Sequence, residues 1–134
     1  MSGPQVAIAS DPSLTGVSVL LVDDSVDNQN IFLRFLAKEG AKVEVASNGL
    51  AAVSIQQERT FDVIIMDVRM PLLDGYEATR RIRSNGFQGP IIALTAHATP
   101  GEEERCRQSG CSDFHLKPID RKTLIGAVAK AVAT

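Results

Sequence analysis

Residues 61–75 read FDVIIMDVRMPLLDG, a near-continuous apolar run that stops on an aspartate, Asp67. Val63, Ile64, Ile65 and Met66 leave no side of the segment for water, so it reads as a strand buried on both faces in the middle of a parallel sheet. Asp67 then stands at the strand's C-terminal end. In open α/β sheets that edge is where ligands bind, and a carboxylate placed there is better explained by chemistry than by solvation. Pro71 should halt the strand, because it has no N–H for the ladder. Asp74, Gly75 and Glu77 read as an N-cap with its capping-box partner, opening the next helix.

Outward from this stretch, strands and helices alternate. VSVLLV (17–22) is followed by a helix through Ile31, Phe32, Phe35 and Leu36, whose apolar pairs four apart form one buried stripe. KVEVA (42–46) precedes a helix that starts after Asn48 and Gly49. Beyond the central strand come a helix from Asp74 to about Arg83, the strand PIIALT (90–95), a helix after Thr99, the short strand DFHL (113–116) and a last helix. In the fourth helix, Thr99, Pro100 and Glu102 fit an N-cap, a first-position proline and a capping-box residue, and Gly110 fits the stop. The last helix carries Leu124, Ile125, Val128, Ala129 and Val132 on one side. The series predicts a three-layer, doubly wound (βα)5 α/β domain around a five-stranded parallel sheet, with right-handed crossovers. Residues 1–16, MSGPQVAIASDPSLTG, mix Gly, Pro and Ser without a period and read as a flexible leader or linker remnant, with the folded domain over 17–134.

A chain of 134 residues that is 44% hydrophobic suits one domain with a real core. The formal charge of −2, with both signs interspersed, offers no basic field for nucleic acid and no polybasic membrane patch. The apolar stretches are too short to span a membrane, and no signal peptide is evident, so the expectation is a soluble cytoplasmic protein. Cys106 and Cys111, the only cysteines, read as free, half-buried thiols.

Placed by strand ends, the polar residues converge. Asp23 and Asp24 follow VSVLLV, Asp67 follows FDVIIM, Thr95 follows PIIAL and Lys117 follows DFHL. Three carboxylates crowded at one sheet edge repel one another, and a cation among them relieves the repulsion. An oxygen-only set completed by water suits Mg²⁺ or Mn²⁺. A storage site would need neither Thr95 nor Lys117. A phosphoryl group would use both, since its oxygens can be held by a metal, a hydroxyl and an ammonium at once. Asp67 would then be the nucleophile, forming an acyl phosphate.

These residues carry a resemblance. LLVDDS (20–25), VIIMDVRMPLLDG (63–75), IIALTA (91–96) and the Lys117-Pro118 pair, in this order and at this spacing, resemble the receiver domain of response regulators in two-component signalling. The resemblance implies the flavodoxin-like receiver topology. It also implies that Asp67 accepts a phosphoryl group from a partner's phosphohistidine, on a histidine kinase or a histidine phosphotransfer domain. Asp23 and Asp24 would organise Mg²⁺ together with Asp67 and the backbone carbonyl of Arg69. Thr95 would bond the incoming phosphoryl oxygen, Ala96 would leave room beside it, and Lys117, aimed by a cis bond to Pro118, would pair with the phosphate. His97 and Arg69 flank the site, where they can tune the phosphoryl lifetime. Phe114 would be the switch aromatic that follows Thr95 inward, with output through the fourth helix, last strand and last helix, a face that could also support a weak homodimer.

DNQ (27–29), EATRRIR (77–83), ALTAHA (93–98) and LKPID (116–120) are most similar to receivers attached to hybrid histidine kinases. This implies a domain from a longer, membrane-anchored sensor, whose kinase activity would lie elsewhere. A stand-alone single-domain regulator is the alternative. A Mg²⁺-dependent aspartyl-phosphate phosphohydrolase of the haloacid-dehalogenase-like kind uses similar groups, but its nucleophile sits in a DxD motif after the first strand, whereas DDS stands here. A flavodoxin-like cofactor module would need a Ser-, Thr- and Gly-rich first loop, which the acidic pair replaces. Asn28, Gln29, Phe32 and Leu33 are candidates for reading the partner, with Phe32 equally suited to the core.

Overall fold

The computed structural model describes residues 14–97 and 99–133. Ten elements alternate: β1 Ser18–Val22, α1 Val26–Lys38, β2 Lys42–Ala46, α2 Gly49–Glu58, β3 Val63–Asp67, α3 Gly75–Ser84, β4 Ile91–Thr95, α4 Pro100–Ser109, β5 Asp113–Leu116 and α5 Arg121–Ala133. The five strands form one parallel sheet in the order β2-β1-β3-β4-β5. The chain thus moves outward from β1 to β2, then crosses back to place β3 on the other side of β1. That reversal opens a crevice at the C-terminal ends of β1 and β3.

Every residue of β3 and of β4 is buried. Side chains leave a strand alternately, so each strand feeds two cores. Val19, Leu21, Val63, Ile65, Ile92 and Leu94 face Phe32 and Leu36 of α1 and Leu124, Ile125 and Val128 of α5. Leu20, Val22, Ile64, Met66 and Ile91 face Ala52 of α2 and Ala78 and Ile82 of α3. Each such side chain contributes about 1.5–3 kcal/mol by leaving water. Helices on both faces are what allow strands this apolar.

Helix starts follow the sequence. Side chains of Ser25, Asn48, Asp74 and Thr99 accept from the N–H groups of Asn28, Ala51, Glu77 and Glu102. α4 ends on Gly110 at φ 111°, a left-handed turn that glycine adopts without strain.

Some expectations shift. β3 ends at Asp67 as expected, but Pro71 is not what halts it: the Val68 N–H still bonds β4 at Leu94, and the ladder stops because Gly75 takes the Val68 carbonyl. Ile31 is 43% exposed and leaves the α1 stripe, whereas Phe32, weighed as a partner reader, is core. The 1–16 leader lies outside the described residues except for Leu14, Thr15 and Gly16. Of these, Leu14 is fully buried in the α1/α5 core and donates its N–H to Glu39, so packing begins ahead of Val17. Cys106 is fully buried rather than half-buried, and burial pushes its thiol up to about 11; Cys111 is half-buried and also pushed up by burial.

Candidate functional site

β1 and β3 are neighbours in register Val22 to Met66, so the residues that follow them emerge side by side. Carboxylate oxygens of Asp23, Asp24 and Asp67 lie within 4.8 Å of one another. Asp23 and Asp67 are buried, at 1% and 4% exposure, and Asp24 is exposed at the rim. β5 delivers the counter-charge: Lys117 Nζ lies 3.3 Å from Asp67 Oδ2 and 3.5 Å from Asp23 Oδ2. The Lys117-Pro118 bond is cis.

One ammonium does not neutralise three carboxylates. Burial pushes the Asp67 carboxyl above its ordinary value; the Arg69 N–H, donated to Oδ1 at 3.2 Å, and Lys117 hold it back, while Asp23 adds to the rise. Asp23 Oδ1 accepts the Ser25 N–H at 2.9 Å, but the buried Oδ2 has no hydrogen-bond donor. A buried carboxylate oxygen without a donor, at the centre of an all-oxygen set, fits a hard divalent cation. Gln29 proves to be a support of this corner: its amide donates to the Asp23 carbonyl at 2.6 Å and to Ser47 Oγ at 3.2 Å.

Thr95 ends β4 directly after Leu94, the partner of Asp67 in the ladder, and is fully buried. Its hydroxyl is closed onto its own loop, accepting the His97 N–H at 3.1 Å. Ala96 and His97 continue along the exposed rim. Phe114 is half-buried against Val68, Tyr76, Ala93 and Cys106, on the far side of β4 from the α1/α5 core. Asp23, Asp24, Asp67 and Lys117 are therefore brought into one constellation, Thr95 borders it, and Phe114 sits a layer away.

Two residues escaped the sequence reading. Glu102 was read as a capping-box residue, but its carboxylate accepts from the Tyr76 hydroxyl at 2.6 Å and faces Arg69 at 3.9 Å. Burial and the Glu102 carboxylate together push the Tyr76 phenol up. The signal was present as the single tyrosine, two residues past a helix cap, but nothing local points it at α4.

A family model for the response regulator receiver domain matches residues 19–129. Among curated proteins, the chain is 41% identical over 137 aligned positions to "Probable histidine kinase 2" of Oryza sativa, covering 88% of this chain and 13% of that protein. The chain thus spans about an eighth of that relative's length. Among solved structures it resembles the receiver domain of sensor histidine kinase PA1611 from Pseudomonas aeruginosa, with magnesium coordinated in its active-site cleft. The TM-score is 0.83 at 39% identity, covering 90% of this chain and 100% of that one. It also resembles the receiver domain of Ssk1 from Saccharomyces cerevisiae, crystallised with the histidine phosphotransfer protein Ypd1. There the TM-score is 0.80 at 32% identity, covering 87% and 89% of the two chains. With the sheet order, the acidic crevice and these matches in agreement, the chain belongs to the response regulator receiver domains of two-component phosphorelay signalling.

Proposed function

We propose that Asp67 is the phosphoacceptor of this receiver domain. The observation that carries the reading is Lys117 Nζ, 3.3 Å from Asp67 Oδ2, beside a buried Asp23 oxygen that lacks a donor. In the reaction, an Asp67 carboxylate oxygen attacks the phosphorus of a phosphohistidine. The O–P bond forms as the N–P bond breaks, and the imidazole leaves with the electron pair and takes up a proton. The attack is that of an anion on an anion, so the groups around it must supply positive charge. Lys117 holds one phosphoryl oxygen, and Thr95 donates its hydroxyl to another once that hydroxyl turns from the His97 carbonyl, to which it donates at 3.3 Å. Ala96 leaves space there, and Pro118 orients the lysine.

Mg²⁺, or Mn²⁺, held by Asp23, Asp24, Asp67 and the Arg69 carbonyl, neutralises the crowded carboxylates when bound. His97 and Arg69 at the rim tune access of water to the adduct, and Phe114 relays the change toward α4, β5 and α5. The domain modifies itself and stops; it is a regulatory acceptor rather than a turnover enzyme.

The phosphodonor is a histidine kinase or a histidine phosphotransfer domain. A mostly apolar cavity of about 370 Å³ beside Lys117, lined by Ile31, Phe32, Pro118 and Ile119 with Asn28 and Ala96, supports a helical partner seated next to the acceptor. The exposure of Ile31 fits that role. The short span against the kinase relative supports a place within a longer hybrid kinase, acting at its cytoplasmic side. Among the described residues no helix is long and apolar enough to cross a membrane.

Intact mass after incubation with Mg²⁺ and acetyl phosphate tests the assignment. One added phosphoryl group is expected in the native chain, and none in Asp67→Asn or with a chelator present. Repeated turnover of the donor without a retained adduct would point to a hydrolase instead.

A further inference from the structure

The Glu102 carboxylate lies outside the acceptor site yet is tied to it. Its side chain, in the first turn of α4, is only 15% exposed. Oε1 accepts from Tyr76 at 2.6 Å, and Oε2 faces the Arg69 guanidinium at 3.9 Å. Arg69 stands two residues past Asp67, to which it already donates its backbone N–H. On the other side, Arg105 lies 4.4 Å over the Tyr76 ring and 4.0 Å from Asp74. These groups wall an open cavity of about 510 Å³ that runs from the acceptor loop to α4. One carboxylate of α4 thus touches both α3 and the loop that carries the acceptor.

The two contacts of Glu102 differ in strength. The phenol bond is short and half-buried. The ion pair is long, and its arginine is 65% exposed, so it is held weakly. A nearly buried carboxylate nevertheless depends on its counter-charge. A phosphoryl group on Asp67 would bring about two negative charges within reach of the same guanidinium, and arginine binds phosphate with two parallel hydrogen bonds. Arg69 then has two anions competing for it, and the phosphoryl group is the stronger.

We propose that Glu102 is a positioning residue for Arg69: it holds the guanidinium off Asp67 before phosphorylation and loses it to the phosphoryl group afterwards. Left without a cation, the Glu102 carboxylate moves to water, the Tyr76 bond breaks, and the first turn of α4 shifts. This rests on Asp67 being the phosphoacceptor, and it adds a route from that residue to α4 separate from Thr95 and Phe114. Linkage makes the coupling reciprocal. If the phosphoryl group weakens the Arg69–Glu102 pair, removing the Glu102 charge must strengthen the hold on the phosphoryl group by the same factor.

The chain contains one tyrosine and no tryptophan, so its ultraviolet emission reports Tyr76 alone. A phenol bonded to a carboxylate emits weakly, because the excited phenol gives up its proton. The experiment measures that emission in the whole chain as beryllofluoride and Mg²⁺ are added, with beryllofluoride affinity by calorimetry and adduct mass after acetyl phosphate followed in parallel. Emission of the native chain is expected to rise on adding beryllofluoride. Glu102→Gln should start bright, respond little, and bind beryllofluoride about fivefold more tightly, within the usual range of coupling. The double variant Arg69→Gln with Glu102→Gln should lose that gain. A native chain that takes up one phosphoryl group and responds to beryllofluoride elsewhere, while Tyr76 emission stays constant, would overturn the latch and leave the acceptor assignment standing. So would equal beryllofluoride affinities for the native chain and Glu102→Gln. Failure of the native chain to form any adduct would overturn both.

Discussion

At Asp67 two opposing effects act on one carboxyl. Burial raises its pKa, and the Arg69 N–H with Lys117 lowers it by less, so the folded value lies above the ordinary 3.8. A group shifted up favours folding in its protonated form; its contribution is full in acid and is lost as pH rises through the folded value. At neutral pH, without metal, the ionised Asp67 therefore costs stability. Asp67→Asn is expected to melt several degrees higher than the native chain in chelator at pH 7, with the gap closing as pH falls below the ordinary carboxylate value. Thermal unfolding across that pH range checks the sign. Mg²⁺ should raise the melting point of the native chain more than that of the variant, because one of its ligands is then gone. A lower melting point for Asp67→Asn at neutral pH in chelator would mean that the Lys117 pair, not burial, dominates the site.

Among the elements, α3 is the one whose position the acceptor depends on most closely. A Cβ at Gly75 would meet the Asp67 carbonyl oxygen at 2.3 Å and Val68 Cα at 2.7 Å, both backbone atoms that cannot swing aside. Glycine is needed there for close approach, since the Gly75 N–H donates to the Val68 carbonyl at 3.1 Å. Gly75→Ala is expected to cost about 2 kcal/mol in urea unfolding, as overpacking does, and to slow phosphorylation by displacing the acceptor loop. An unchanged midpoint would show that the loop yields freely. α4 is built differently: its caps at Thr99 and Gly110 are complete, but Cys106 and Ser109 are its only buried side chains. A helix held by its ends and by the Tyr76 contact suits an element that moves.

For the whole molecule, the sheet order matters more than any single contact. Placing β1 beside β3 brings together acids that are separated by more than forty residues in the chain. Placing β5 at the edge beyond β4 still lets Lys117 reach inward to Asp23 and Asp67. The folded unit also includes Leu14, which the composition of residues 1–16 had assigned to the leader. Its side chain is fully buried among Val19, Phe32 and Leu36. Leu14→Ala is expected to destabilise the domain by about 3 kcal/mol, the cost of a core cavity, whereas a true leader residue would change the unfolding midpoint by almost nothing.

What the sequence determined by itself was whatever short-range chemistry encodes. Unbroken apolar runs identified strands buried on both faces, and side-chain oxygens ahead of helices marked their starts. Polar residues at strand ends named the acidic crevice, Thr95 and Lys117, because strand periodicity says which edge each one must reach. Three things were decided only in the folded molecule. Leu14 is core because the α1 end and α5 close over it, not because of its neighbours in sequence. Asp23 Oδ2 lacks a hydrogen-bond donor because Ser25 bonds Oδ1 instead and the Lys117 ammonium stands off at 3.5 Å, a fact of geometry rather than composition. Glu102 meets Tyr76 and Arg69 because α3 and α4 pack side by side, and no local pattern encodes a contact between residues twenty-six apart.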